Sequence, residues 1–116
     1  MTNSGSYCSI NVDDYRAASL AVEQVDKFYD PMSERESFRF ENRKQMAPLP
    51  FGGAGAMGDR NVMISTPCGL PAADHLILFL IAGEKAQKDV SVRRNDMERF
   101  MLDFVPRVKK AMACSA

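Results

Sequence analysis

The 116-residue chain suits one domain and can bury roughly two-thirds of its extended surface around a single core. Hydrophobic residues make up 46% and charged residues 26%, which excludes wholesale disorder. Lys+Arg and Asp+Glu balance at 15 each, so the basic excess that phosphate neutralisation asks of a nucleic-acid binder is missing.

Charge is spread unevenly: residues 13–41 lean acidic and residues 85–110 lean basic, the pattern of two differently charged faces. Leu76-Ile77-Leu78-Phe79-Leu80-Ile81-Ala82 is the longest apolar run. It falls far short of the roughly 20 residues a membrane-spanning helix needs, so no transmembrane segment is expected in this chain. Residues 1–7 carry neither a basic region nor an apolar stretch and do not read as a signal peptide. Either the protein is intracellular or an export segment has been removed. The three cysteines, Cys8, Cys68 and Cys114, are an odd number without short spacing, which excludes a CxxC redox pair and a zinc knuckle.

Residues 1–8, small and polar, are expected to form a flexible tail, with a single domain over 9–116. Asn11 with Asp14 three residues on reads as an N-cap with an acidic first turn. Tyr15, Ala18, Ala21, Val22, Val25, Phe28 and Tyr29 then recur at helical spacing, predicting an amphipathic helix over 13–28 that ends at Asp30-Pro31. Phe38 and Phe40 alternate with Arg39 and Glu41, predicting a strand over 36–42. Pro48, Pro50 and the glycines from Gly52 to Gly58 predict a loop.

Val62, Met63 and Ile64 predict a short strand over 61–66, stopped by Pro67 and followed by a turn at Cys68-Gly69-Leu70-Pro71. Residues 75–81 are apolar on both faces and too short for a lone helix, which predicts a central strand. Residues 83–88 are expected to form a polar loop. Asn95 with Glu98 is a capping-box pattern, and Met97, Phe100, Met101, Phe104, Val105, Val108 and Met112 follow it at 3/4 spacing. Pro106 interrupts this helix and is expected to kink it, at a cost of about 3 kcal/mol in an ideal interior. The expected fold is therefore two-layer α+β, a small mostly antiparallel sheet of three or more strands packed against an N-terminal and a C-terminal amphipathic helix.

Few residues carry chemistry. Gly53-Ala54-Gly55-Ala56-Met57-Gly58 is a literal GxGxxG, but Pro48-Leu49-Pro50-Phe51 before it is no central strand and a strand, not a helix, follows. It reads as a loop, and no cofactor is expected. His75, the only histidine, lies seven residues from Cys68; ends of adjacent strands could bring the two together and activate the thiol. These are weak catalytic candidates beside the plainer reading of a half-exposed histidine next to Asp74, and no metal is expected. Asp13 and Asp14 suit a helix first turn better than a carboxylate pair. The Met97, Met101 and Met112 stripe is explained by core filling. Phe51 and Met57 mark a contact loop unless they dock back onto the core.

Pro48-Leu49-Pro50, the glycine-rich stretch, Val62-Met63-Ile64-Ser65-Thr66-Pro67-Cys68, the apolar run from Leu76 and the last helix ending at Cys114 together resemble small extracytoplasmic domains of actinobacterial lipoproteins and membrane-anchored proteins. The likeness covers residues 48–114. It implies a Cys68–Cys114 disulfide tying the helix end to the sheet. Closing a loop of roughly 45 residues would restrict the unfolded chain by about 4 kcal/mol. Cys8 would be left over or paired outside the chain. The resemblance brings no activity with it.

Taken together, these features imply a non-enzymatic interaction or ligand-recognition domain in an extracytoplasmic, oxidising compartment, its partner an unknown protein or small ligand. A cytoplasmic partner-binding or regulatory module with reduced core cysteines is the alternative. A small thiol enzyme using Cys68 and His75 is the third reading.

Overall fold

The computed structural model describes the backbone of residues 4–12, 15–71, 73–83 and 88–116, and within these stretches the side chains from residue 18 onward. Its elements in chain order are β1 (Ser4–Val12), β2 (Tyr15–Val25), a 3-10 helix (Glu34–Arg39), β3 (Lys44–Gln45), β4 (Ala54–Met57), β5 (Asn61–Leu70), β6 (Ala73–Ala82) and α1 (Val90–Ala111). The strands make one sheet in the order β1-β2-β6-β5-β4-β3, and every neighbouring pair is antiparallel. α1 packs on one face. The central position expected for the 75–81 segment holds, since β6 is paired on both sides, with β2 and with β5.

The expected N-terminal helix is replaced by a strand. Ala18 to Val25 pair residue by residue with Ala82 to His75. Leu20 explains why. It falls off the helical stripe but joins Ala18 and Val22 once side chains alternate, and it is 2% exposed in the core. Both periods fit this segment in isolation, and the free edge of apolar β6 decides between them. Asp13 and Asp14 lie outside the described residues, Asn11 falls in β1, and β1 begins at Ser4, inside the segment read as a tail.

The strand expected over 36–42 is a 3-10 helix instead. The alternation points the wrong way: Phe38 is 76% exposed while Glu36 is buried. Glu36 and Arg39 form an ion pair three residues apart, which a helical turn allows and an extended strand does not.

The glycine loop contains β4, which pairs with β5 from Ala54↔Ser65 to Met57↔Val62. Gly53 precedes it at φ +92°, and a Cβ there would stand 1.9 Å from the Ser65 carbonyl oxygen. Glycine therefore serves close approach of two backbones, not a phosphate. Pro67 does not stop β5; the pairing resumes at Leu70↔Ala73 after an irregularity between Pro67 and Leu70.

α1 starts at Val90, five residues before Asn95. Its cap is Asp89, whose Oδ1 accepts from Ser91 N at 3.0 Å and Val92 N at 3.1 Å. The buried stripe is Arg93, Met97, Met101, Val105 and Lys109, one residue per turn. Its charged ends hid the first turn from the hydrophobic pattern. Pro106 lies inside α1 on its exposed side, where water can reach the Leu102 carbonyl left without a donor.

Candidate ligand-binding site

Strand side chains alternate, so β6 sends Leu76, Leu78, Leu80 and Ala82 into the core beneath Met97, Met101 and Val105 of α1. His75, Ile77, Phe79 and Ile81 therefore face the other side. No α-helix covers that face among the described residues. The segment over 26–43 crosses it instead and is pinned by polar bonds. Tyr29 N donates to Ser65 Oγ at 3.3 Å, and Asn61 Nδ2 donates to the Arg39 carbonyl at 2.7 Å. Arg43 Nη1 donates to the carbonyls of Ser33 at 2.7 Å and Pro31 at 3.3 Å. The Phe28 ring meets the His75 ring edge-on at 5.9 Å.

This crossing covers β5 but stops short of β2 and the end of β6. A hollow of about 330 Å³ remains, floored by Ala21, Met63, Ile77, Phe79 and Ile81, with Tyr29, Glu36 and Arg39 as its wall and Glu23 at its edge. A second hollow of about 400 Å³ shares Arg39, Phe79 and Ile81 and adds Phe38, Glu41, Arg60 and Asn61. Arg39 thus stands between two hollows on one apolar floor. Ile81 is 46% exposed there, which is unusual for a large aliphatic side chain in an inner strand.

The wall is polar and organised. Glu36 is 3% exposed and accepts from the Tyr29 hydroxyl through Oε2 and from Arg39 Nε through Oε1. Bonding to Glu36 raises the Tyr29 phenol pKa above its ordinary 10.0, so the hydroxyl stays a donor. The Arg39 guanidinium carbon lies 5.0 Å from the Phe38 ring centroid and 5.7 Å from that of Phe79, within cation–π range of both. Both Glu36 oxygens are engaged. What the wall has left to offer a ligand is N–H groups of Arg39.

The residues singled out from the sequence lie elsewhere. Cys68 and Cys114 are joined by a disulfide, with Cα atoms 4.5 Å apart. Ser115 N and Ala116 N donate to the Cys68 carbonyl at 2.7 and 3.1 Å, and so the chain end lies along β5. Cys68 is therefore no free thiol, and it belongs to the core on the helix side. His75 pairs with Pro67 and sits against Phe28 on the opposite face, so the structure does not bring the two together. His75 Nδ1 is 2.9 Å from Asp74 Oδ2 but is not aligned for a hydrogen bond. Phe51 and Met57 are half-buried and packed against the core, so they form no projecting contact loop.

Lys109 is the other unusual group. It is 9% exposed on the inner face of α1, and its Nζ donates to the Phe51 carbonyl at 3.0 Å and to Thr66 Oγ1 at 3.4 Å. Burial pushes its ammonium pKa below the ordinary value, and no carboxylate pairs with it among the described residues. It closes the bottom of the core beside the disulfide. Among the described residues no group of His, Cys, Asp or Glu could hold a metal ion. No described helix is long and apolar enough to cross a membrane.

Comparison with known proteins finds no matching family model, no matching curated protein and no matching solved structure.

Tyr29, Glu36, Arg39 and Phe79 were not singled out from the sequence as site residues. One signal was available. A strand apolar on both faces needs two covers, and a fold with a single helix on the sheet supplies only one. Reading 13–28 as a second helix concealed the missing cover.

Proposed function

We propose that this chain is a non-enzymatic ligand-recognition domain whose ligand occupies the hollow on the sheet face opposite α1. The observation that carries the reading is the apolar floor of Ile77, Phe79 and Ile81, left open beside the hydrogen-bonded Tyr29–Glu36–Arg39 wall. Small-molecule sites commonly combine an apolar lining with a few fixed polar groups, in a volume of about 300–1,000 Å³. Both hollows fall in that range.

The compartment is part of the proposal. A disulfide that sews the end of α1 to β5 suits an oxidising, extracytoplasmic setting, as does the resemblance to domains of actinobacterial lipoproteins. A cytoplasmic module with reduced core cysteines would have to forgo that bond. A thiol enzyme would need Cys68 free and next to His75. The nearly balanced charge favours an uncharged or singly charged small ligand over a polyanion.

The test uses a neutral fluorescent probe, N-phenyl-1-naphthylamine, titrated into the folded, oxidised protein. Saturable binding is expected, and Ile81→Asp should weaken it at least tenfold with little change in Tm, because Ile81 is already half-exposed. Absence of saturable binding, or binding unchanged by Ile81→Asp, overturns the reading.

A further inference from the structure

We infer that the ligand is an elongated apolar molecule carrying one carboxylate, and that Arg39 is the residue that receives the carboxylate. The inference rests on the ligand-recognition reading above and adds the ligand's chemical class.

Hydrogen-bond capacity at the wall decides the charge. Glu36 has both oxygens occupied, one by the Tyr29 hydroxyl and one by Arg39 Nε. Glu36 is also 3% exposed, so an amine ligand would have little access to its carboxylate. Arg39 is different. Among the described residues, Nε is its only side-chain nitrogen with a hydrogen bond, although the guanidinium carries five N–H groups. Its plane is held by the rings of Phe38 and Phe79, at 5.0 and 5.7 Å, while the side chain remains 43% exposed. A guanidinium fixed in orientation with its Nη groups unfilled matches a carboxylate, which can take two parallel N–H bonds. The ligand must bring an acceptor.

Shape decides the remainder. Arg39 stands where the two hollows meet, and both share Phe79 and Ile81 as floor. A head group at Arg39 therefore has an apolar trough leading away from it across β6 and towards Ala21 of β2. Glu23 and Glu41 are exposed, where water screens them from a bound anion. Glu36 offsets the charge of Arg39 before the ligand arrives. Affinity then comes from apolar burial and bidentate bonding, not from a strong positive field.

The test compares decanoate with decanol, the same chain with and without the anionic head, by calorimetry on the oxidised protein at neutral pH. Decanoate is expected to bind at least tenfold more tightly. In Arg39→Gln, which keeps an N–H for Glu36, that advantage should shrink to within twofold while decanol binding stays unchanged. Should Arg39→Gln not fold, Arg39→Lys keeps the charge but loses the fork, and the advantage should fall severalfold. Equal binding of the two to the parent protein, or tighter binding of decanol, overturns the carboxylate assignment and leaves the apolar site standing. A decanoate preference that survives both variants overturns the role of Arg39. Binding of neither compound overturns the inference, and where the neutral probe also fails to bind, the ligand-recognition reading falls with it.

Discussion

Cys114, three residues past the end of α1, is bonded to Cys68 in the irregular part of β5, at a sequence separation of 46. The bond fixes the last turn of the helix against the sheet, the Ser115–Cys68 backbone bond reinforces the same corner, and Lys109 reaches the Phe51 carbonyl beside it. Most of the core lies between these two anchors: β6 and α1 both fall inside the closed loop.

Opening that loop should cost stability without abolishing the fold. For a closed loop of this length the unfolded chain regains about 2–4 kcal/mol of conformational freedom. Cys114→Ser, or the parent protein under reductant, is expected to lose stability of that order in urea unfolding, and the two should agree. Agreement between them would separate the missing bond from any packing effect of the substitution.

Lys109 gives a stability that depends on alkaline pH. Its folded pKa is depressed by burial below the 10.5 of the unfolded chain. Between those two values the unfolded chain holds a proton that the folded protein has released, so stability rises with pH through that window. Below the folded pKa the cost of burying the charge is fully present. Lys109→Met keeps the apolar stem, removes the charge, and leaves Thr66 Oγ1 its bond to the Gly52 carbonyl at 3.0 Å. The variant is expected to unfold at a higher Tm at pH 7 and to show a flatter stability profile as pH rises towards 10.5.

Leu20 distinguishes the strand from the helix that spacing alone predicts. It is 2% exposed and packs with Leu78, Leu80 and Met101 in one core cluster. Leu20→Ala should therefore cost about 2–5 kcal/mol, whereas Glu23→Ala, exposed on the opposite face of the same strand, should stay within about 0.5 kcal/mol. On an amphipathic helix built on Ala18, Ala21, Val22 and Val25, Leu20 would stand on the polar face and be cheap to remove.

What could be read from the sequence follows from how local each signal is. β6 was legible as an unbroken apolar run too short for a lone helix, and the Met97–Met101–Val105 stripe of α1 because its residues agree on one period. β4 was not, since Gly55 and Ala56 earn their places by close backbone contact with β5, a non-local reason. β2 was ambiguous between two periods until β6 offered an edge to pair with. The Tyr29–Glu36–Arg39 wall was hidden for the same cause. Its members are spread over a turn and a 3-10 helix that only make sense once the face beneath them is known to lack a helix. The Cys68–Cys114 bond, by contrast, entered through a resemblance and not through spacing.

The central claim is that the ligand sits on the sheet face opposite α1. Its most direct test is methyl NMR of the selectively labelled protein during titration with the neutral probe. The account predicts saturable shifts at the methyl groups of Ile77, Ile81 and Met63, with those of Leu78, Leu80, Met97 and Met101 unmoved. Shifts concentrated at the α1-facing methyls, or no shifts at Ile77 and Ile81 when the probe is bound, would contradict it.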